Sequence, residues 1–172
     1  MERLVAIGGG EIKDLETLII DREIVRLTDK AHPHALFIPT ASGDPDGYCQ
    51  TFHQVYGDKL GCRTDVLRVA SRTPTNQEIE DKISWADLVY VGGGNTLRML
   101  RRWRQLGVDK LLKKAYQQGA VMSGLSAGSI CWFEYGHSDS NKFKANQGDQ
   151  WNFMRVRGLG FILGTHCPHY HH

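Results

Sequence analysis

Four short apolar runs in this chain each end on a glycine-rich or polar loop, and amphipathic stretches lie between them. Leu4-Val5-Ala6-Ile7 closes on Gly8-Gly9-Gly10, and Ala35-Leu36-Phe37-Ile38-Pro39 leads into the polar stretch Ala41 to Gly47. Asp87-Leu88-Val89-Tyr90-Val91 closes on Gly92-Gly93-Gly94-Asn95, and Ala120-Val121-Met122 runs into Gly124-Leu125-Ser126-Ala127-Gly128. Thr64 to Val69 reads as a further strand. Helical spacing marks Ile20, Ile24 and Leu27, then a stretch from about Tyr48 to Tyr56, then Asn76 to Ile83 with Thr75 as N-cap. Leu97, Leu100, Trp103 and Leu106 mark another helix, and Val108 to Gln118 one more. Strands alternating with helices in this way demand an α/β fold, a mainly parallel sheet with helices on both faces. The four loops all follow strands, so they open on the sheet edge where function gathers in such folds.

Size and charge narrow the classes. A chain of 172 residues is expected to form a single domain spanning 1–172. A net charge of +2 is too small to imply a nucleic-acid partner, and Arg98, Arg101, Arg102 and Arg104 read as a solvated helix face. No apolar run approaches the roughly 20 residues that span a bilayer. The N-terminus enters a strand at once, and Cys49, Cys62, Cys131 and Cys167 form no CxxC pair, so reduced thiols and a cytoplasmic location are expected.

The stretch 134–156 departs from the alternation. It is polar and turn-rich and reads as a long functional loop. Arg155 to Leu163 then reads as one return strand, bent at Gly158 and Gly160, that delivers Thr165-His166-Cys167-Pro168-His169-Tyr170.

Gly-x-Ser-x-Gly between a strand and a helix start at Ser129 to Phe133 has the layout of a nucleophile elbow. Glycines let strand and helix pack closely while the Ser126 hydroxyl is pushed outward. The plain alternative is a small-residue turn without chemistry. An activated serine needs a base and a carboxylate to orient that base. His32, His34 and His53 read as surface residues, and His137 lies in the polar stretch; His166 and His169 end a strand, and spacing favours His169, whose backbone Pro168 restrains. Glu134, Asp139 and Asp149 are the carboxylates between serine and histidine. Gly92–Asn95 suits an oxyanion-hole backbone better than a phosphate cradle, since neither glycine run matches a nucleotide motif. For Gly8–Gly10, a structural turn and a ligand contact both fit. His166, His169, His171 and His172 raise zinc, but no second ligand group stands at matching spacing, so no metal is expected.

Val89 to Leu97, Gly124 to Ser129 and Cys167-Pro168-His169-Tyr170 together resemble the peptidase E family of serine peptidases. That family includes aspartyl dipeptidases and, more distantly, cyanophycinases. Pro39-Thr40-Ala41-Ser42 is similar to its second strand and loop, and the match runs in order from Met1 to Tyr170. The resemblance implies a fold like class I glutamine amidotransferases, with serine at the elbow in place of cysteine. It implies cofactor-free hydrolysis of small peptides, with dipeptides bearing an N-terminal aspartate as the best-known substrates. It implies Ser126 as nucleophile, His169 as base, and Gly93 and Ala127 at the oxyanion positions. Asp139 is the best match for the third member, across a two-residue gap.

Members of the family run on past the histidine motif, so the resemblance also implies a shortened C-terminal part. A shortened sheet leaves an open edge, which favours a homodimer. A second reading is an inactive homologue that keeps the pocket and acts as a binding or regulatory protein. Arg98, Lys142 and Arg157 are the candidate cations for an acidic substrate side chain.

Overall fold

The computed structural model describes residues 1–140 and 153–170. Strands β1 (Leu4–Ile7), β2 (His34–Ile38), β3 (Arg63–Val66), β4 (Leu88–Val91) and β5 (Val121–Leu125) form a parallel sheet in the order β1-β5-β4-β2-β3. Its strands are continuous apolar runs because both faces are covered. Leu36, Ile38, Val89, Val91 and Met122 face one layer, while Ala35, Phe37, Leu88, Tyr90 and Val121 face the other. Helices α1 (Leu18–Arg26) and α2 (Asp46–Phe52) cover the second face through Ile24 and Phe52. Helices α3 (Asn76–Trp85), α4 (Thr96–Leu106) and α5 (Val108–Gln117) cover the first through Ile79, Ile83, Leu100, Trp103 and Leu112. The expected α/β architecture is the one observed.

Local signals set the helix ends. The Glu78 N–H donates to the Thr75 hydroxyl at 3.1 Å, and the Arg98 N–H to the Asn95 side chain at 2.9 Å. Gly107, at φ 72°, ends α4 in the left-handed conformation that glycine tolerates. Helix α2 starts two residues before the expected Tyr48 and passes straight into a π-helical segment, His53–Lys59.

The C-terminal third differs from expectation. The helix expected over Ser129 to Phe133 is a single turn, α6 (Ala127–Ile130), and the chain leaves it for strand β6 (Phe133–Ser138). The return strand is two strands, β7 (Met154–Arg157) and β8 (Ile162–His166), broken at the glycines. These form a second sheet in the order β7-β6-β8, with β7 antiparallel and β8 parallel to β6. Part of the expected functional loop is therefore strand. Its partners lie far away in sequence: Gly136 is opposite Val156 on one side and His166 on the other. Gly136 is also where the new sheet meets α6, since a Cβ there would come within 2.4 Å of Ile130 Cγ2. Buried Trp132 and Val156 join the second sheet to the main core. Among the described residues, no helix is long and apolar enough to cross a membrane.

Candidate active site

Ser126 stands on the turn between β5 and α6 at φ 53° and ψ −111°, a conformation that costs a non-glycine residue energy. The glycines on either side make the turn possible. A Cβ on Gly124 would lie 2.2 Å from the Gly128 carbonyl oxygen, and one on Gly128 would lie 2.1 Å from that of Val91. The turn is held at both ends. The Ser126 N–H donates to the Ile7 carbonyl at 2.9 Å, and the Ser126 carbonyl accepts from the N–H groups of Ser129 and Ile130.

His169 meets this turn from the segment after β8. Its Nε2 lies 2.9 Å from Ser126 Oγ. It too is a non-glycine residue at positive φ, 54°. Its backbone N–H donates to the Gly8 carbonyl at 3.1 Å, so the first glycine loop seats the histidine. The Gly8–Gly10 loop is thus a structural support of the site, and Gly10 lines the cavity beside it.

The other expected residues fall around this pair. Gly93 packs beside the serine, and a Cβ there would stand 3.6 Å from Ser126 Cβ. Ala127 is buried at the head of α6. Asp139 follows β6, is half-buried, and lines a cavity of about 800 Å³ together with Ser126, His137 and His169. Its neighbours in sequence anchor it there. The Ser138 hydroxyl donates to Thr96 Oγ1 at 3.2 Å, and the Leu97 N–H donates to Ser140 Oγ at 3.2 Å. Glu134 is elsewhere, beside Arg104, Arg157 and Gly158 in a separate depression. Asp149, Lys142, His171 and His172 lie outside the described residues.

A second cavity, about 520 Å³, flanks Ser126 and His169 on the side of Glu11, Lys13, Tyr48 and Thr51. Neither Arg98 nor Arg157 lines either cavity; Lys13 is the cation among the described lining residues. Arg98 instead donates to the Ala41 carbonyl at 3.3 Å. Tyr48 packs over Gly92, where a Cβ would come within 2.8 Å of the tyrosine ring. Burial pushes the Tyr48 hydroxyl up to about 12, against a smaller lowering by the nearby Gly93 backbone. Tyr48 carries no motif and was not singled out by the sequence, since only folding brings α2 over the Gly92–Asn95 loop.

The other described histidines have structural partners. His34 stacks on Trp85 at 4.3 Å, and His53 Nδ1 lies 2.6 Å from Thr64 Oγ1. His166 pairs with Ser129. Among the described residues, no group of three or more His, Cys, Asp or Glu side chains is placed to hold a metal. Cys131 is fully buried, its Sγ donating to the Gly128 carbonyl at 3.0 Å, and burial pushes its thiol well up. That environment makes it a poor nucleophile.

The chain matches the profile of peptidase family S51 over residues 4–172. It is similar to the uncharacterized peptidase YgaJ of Bacillus subtilis, 34% identical over 171 residues, which is 99% of this chain and 69% of that protein. To the uncharacterized peptidase Lmo0363 of Listeria monocytogenes it is 36% identical over 98 residues, 55% of this chain and 45% of the relative. Among solved structures, a peptidase from an acI-B1 Actinobacterium superposes with a TM-score of 0.72 at 23% identity, covering 94% of this chain and 66% of that one. At that identity the likeness establishes the fold alone.

Proposed function

The chain belongs to peptidase family S51, and we propose that within it the Ser126–His169 pair performs serine-type hydrolysis of small peptides. The observation that carries this reading is the 2.9 Å contact of His169 Nε2 with Ser126 Oγ on a strained turn. With Ser126 donating, the imidazole carries its proton on Nδ1 and Nε2 accepts. Ser126 Oγ attacks the scissile carbonyl and its proton passes to His169 Nε2. The tetrahedral oxyanion sits between the backbone N–H groups of Gly93 and Ala127. His169 then protonates the leaving amine, and a water repeats the sequence to release the acyl group. Helix α6 is one turn long, so its dipole is small and the individual N–H groups carry the stabilisation. Every proton in this scheme moves through His169, so the steps call on no cofactor.

Asp139 is the proposed third member, acting on the imidazolium from the wall of the shared cavity. Two cavities flanking Ser126 suit a substrate with a residue on either side of the scissile bond. Dipeptides with an N-terminal aspartate are the class to test first, with Lys13 as the proposed partner of the aspartate side chain.

Ser126→Ala should abolish hydrolysis of aspartyl dipeptide amides while the melting temperature holds. A fluorophosphonate should label the unmodified chain at Ser126. Undiminished hydrolysis by the alanine variant overturns the mechanism. An unlabelled chain that still binds such dipeptides would instead be the inactive binding homologue.

A further inference from the structure

The Ser126–His169 contact has a twin. Three residues before His169, His166 Nε2 lies 2.9 Å from the hydroxyl of Ser129, itself three residues after Ser126. Two histidines on one segment thus engage two serines on one turn, at the same distance and the same spacing. The environments differ. The outer pair is exposed and lines both cavities. Ser129 is fully buried and lines neither, so no substrate carbonyl can reach its hydroxyl.

The protons in the inner pair can be assigned. Ser129 Oγ also lies 2.6 Å from the Ser126 carbonyl oxygen, which can only accept. The serine proton therefore goes to that carbonyl, and His166 Nε2 carries its own proton and donates to Ser129 Oγ. His166 is fixed further by stacking on Phe133 of β6, ring centroids 4.6 Å apart. Burial lowers its pKa and so favours the neutral ring. The chain runs His166 Nε2–H to Ser129 Oγ–H to the Ser126 carbonyl, and it ends on the backbone of the strained residue.

Helix α6 is one turn, so it cannot hold the Ser126 turn through a long ladder of backbone bonds. Strand β8 lies at the rim of the small sheet, bonded to β6 alone within it. Its pairing is irregular, with a register shift between Phe133 and Tyr135. A slip of one residue along this edge would carry His169 away from Ser126. We propose that Ser129 and His166 are positioning residues, a buried clamp that fixes the register of the His169 segment on the Ser126 turn.

This inference rests on the serine-peptidase reading for its effect on activity, but its geometry can be tested apart from it. Three full-length variants serve: Ser129→Ala, His166→Leu, and His166→Gln, whose amide N–H replaces the Nε2 donor. The first readout is the rate of fluorophosphonate labelling at Ser126, with kcat and KM on a cleaved dipeptide. The Ser129→Ala and His166→Leu variants should label about 100-fold more slowly, the scale expected for a misplacement near 1 Å, with kcat falling and KM little changed. His166→Gln should recover to within about threefold of the unmodified rate. Labelling of His166→Leu at the unmodified rate, or of His166→Gln no faster than His166→Leu, overturns the clamp.

The second readout is ring nitrogen NMR of the histidines in the uninhibited protein. It should find His166 in the Nε2–H tautomer and the His169 resonances displaced in His166→Leu. An Nδ1–H tautomer, or unmoved His169 resonances, likewise overturns the clamp. If the unmodified chain does not label at all, the peptidase reading fails, and this spectroscopic arm still decides the clamp.

Discussion

The backbone of Gly9 lies against the imidazole of His169, so closely that a Cβ there would stand 2.9 Å from Nδ1 and 3.0 Å from Cε1. With Gly8 accepting the His169 N–H, the first glycine loop forms both the seat and the wall of this side chain. Gly9 itself is not at positive φ, so alanine there tests the contact and not the backbone. Gly9→Ala should push the ring off Ser126 and slow turnover by about 100-fold with little change in melting temperature. Unchanged kcat would mean that the ring has room to yield.

Asp139→Asn tests the proposed third member. If the carboxylate holds the imidazole and stabilises its charged form, kcat should fall by about 10⁴-fold while KM changes little. A loss below about tenfold would mark the site as a Ser–His dyad seated by glycine.

Asp21 is fully buried, accepting from Thr17 Oγ1 and from the Tyr56 hydroxyl, both at 2.8 Å. Burial raises its pKa above the ordinary carboxylate value despite these two donors. A raised carboxylate pKa means that the folded chain holds the proton more tightly than the unfolded one. Stability is therefore greatest below the unfolded value and declines as pH rises through the folded one. Asp21→Asn keeps an acceptor and removes this dependence, so it should match or exceed the unmodified stability in urea at pH 7. Asp21→Ala leaves the buried Tyr56 hydroxyl without its acceptor and should cost about 1–3 kcal/mol.

The four thiols should separate by exposure. Cys49, Cys62 and Cys131 are buried, and burial pushes all three pKa values up; Cys167 is exposed. A thiol reagent should modify Cys167 first in the native chain, read by peptide mass. Because Cys167 lines the larger cavity, a bulky adduct should raise KM for a peptide substrate. A small adduct at Cys131 without unfolding would contradict the packing.

Much of this was legible in the residues themselves. The parallel sheet follows from runs such as Leu88–Val91, apolar at every position because both faces are buried. The turn at Ser126 was legible because only glycine fits at Gly124 and Gly128, where backbone oxygens lie within 2.2 Å of a would-be Cβ. Short-range physics, periodicity and steric exclusion, leaves its mark in neighbouring residues. The second sheet left no such mark. Phe133–Ser138 is strand because Val156 and His166 arrive beside Gly136 from 20 and 30 residues on. The seating of His169 on Gly8 and Gly9, the packing of Tyr48 over Gly92, and the bonding of His166 to Ser129 rather than to Ser126 are likewise long-range contacts. Local sequence determined which elements form and where their loops open; which histidine meets which serine was decided only when β8 docked on β6, because register between distant strands is a property of the packed whole.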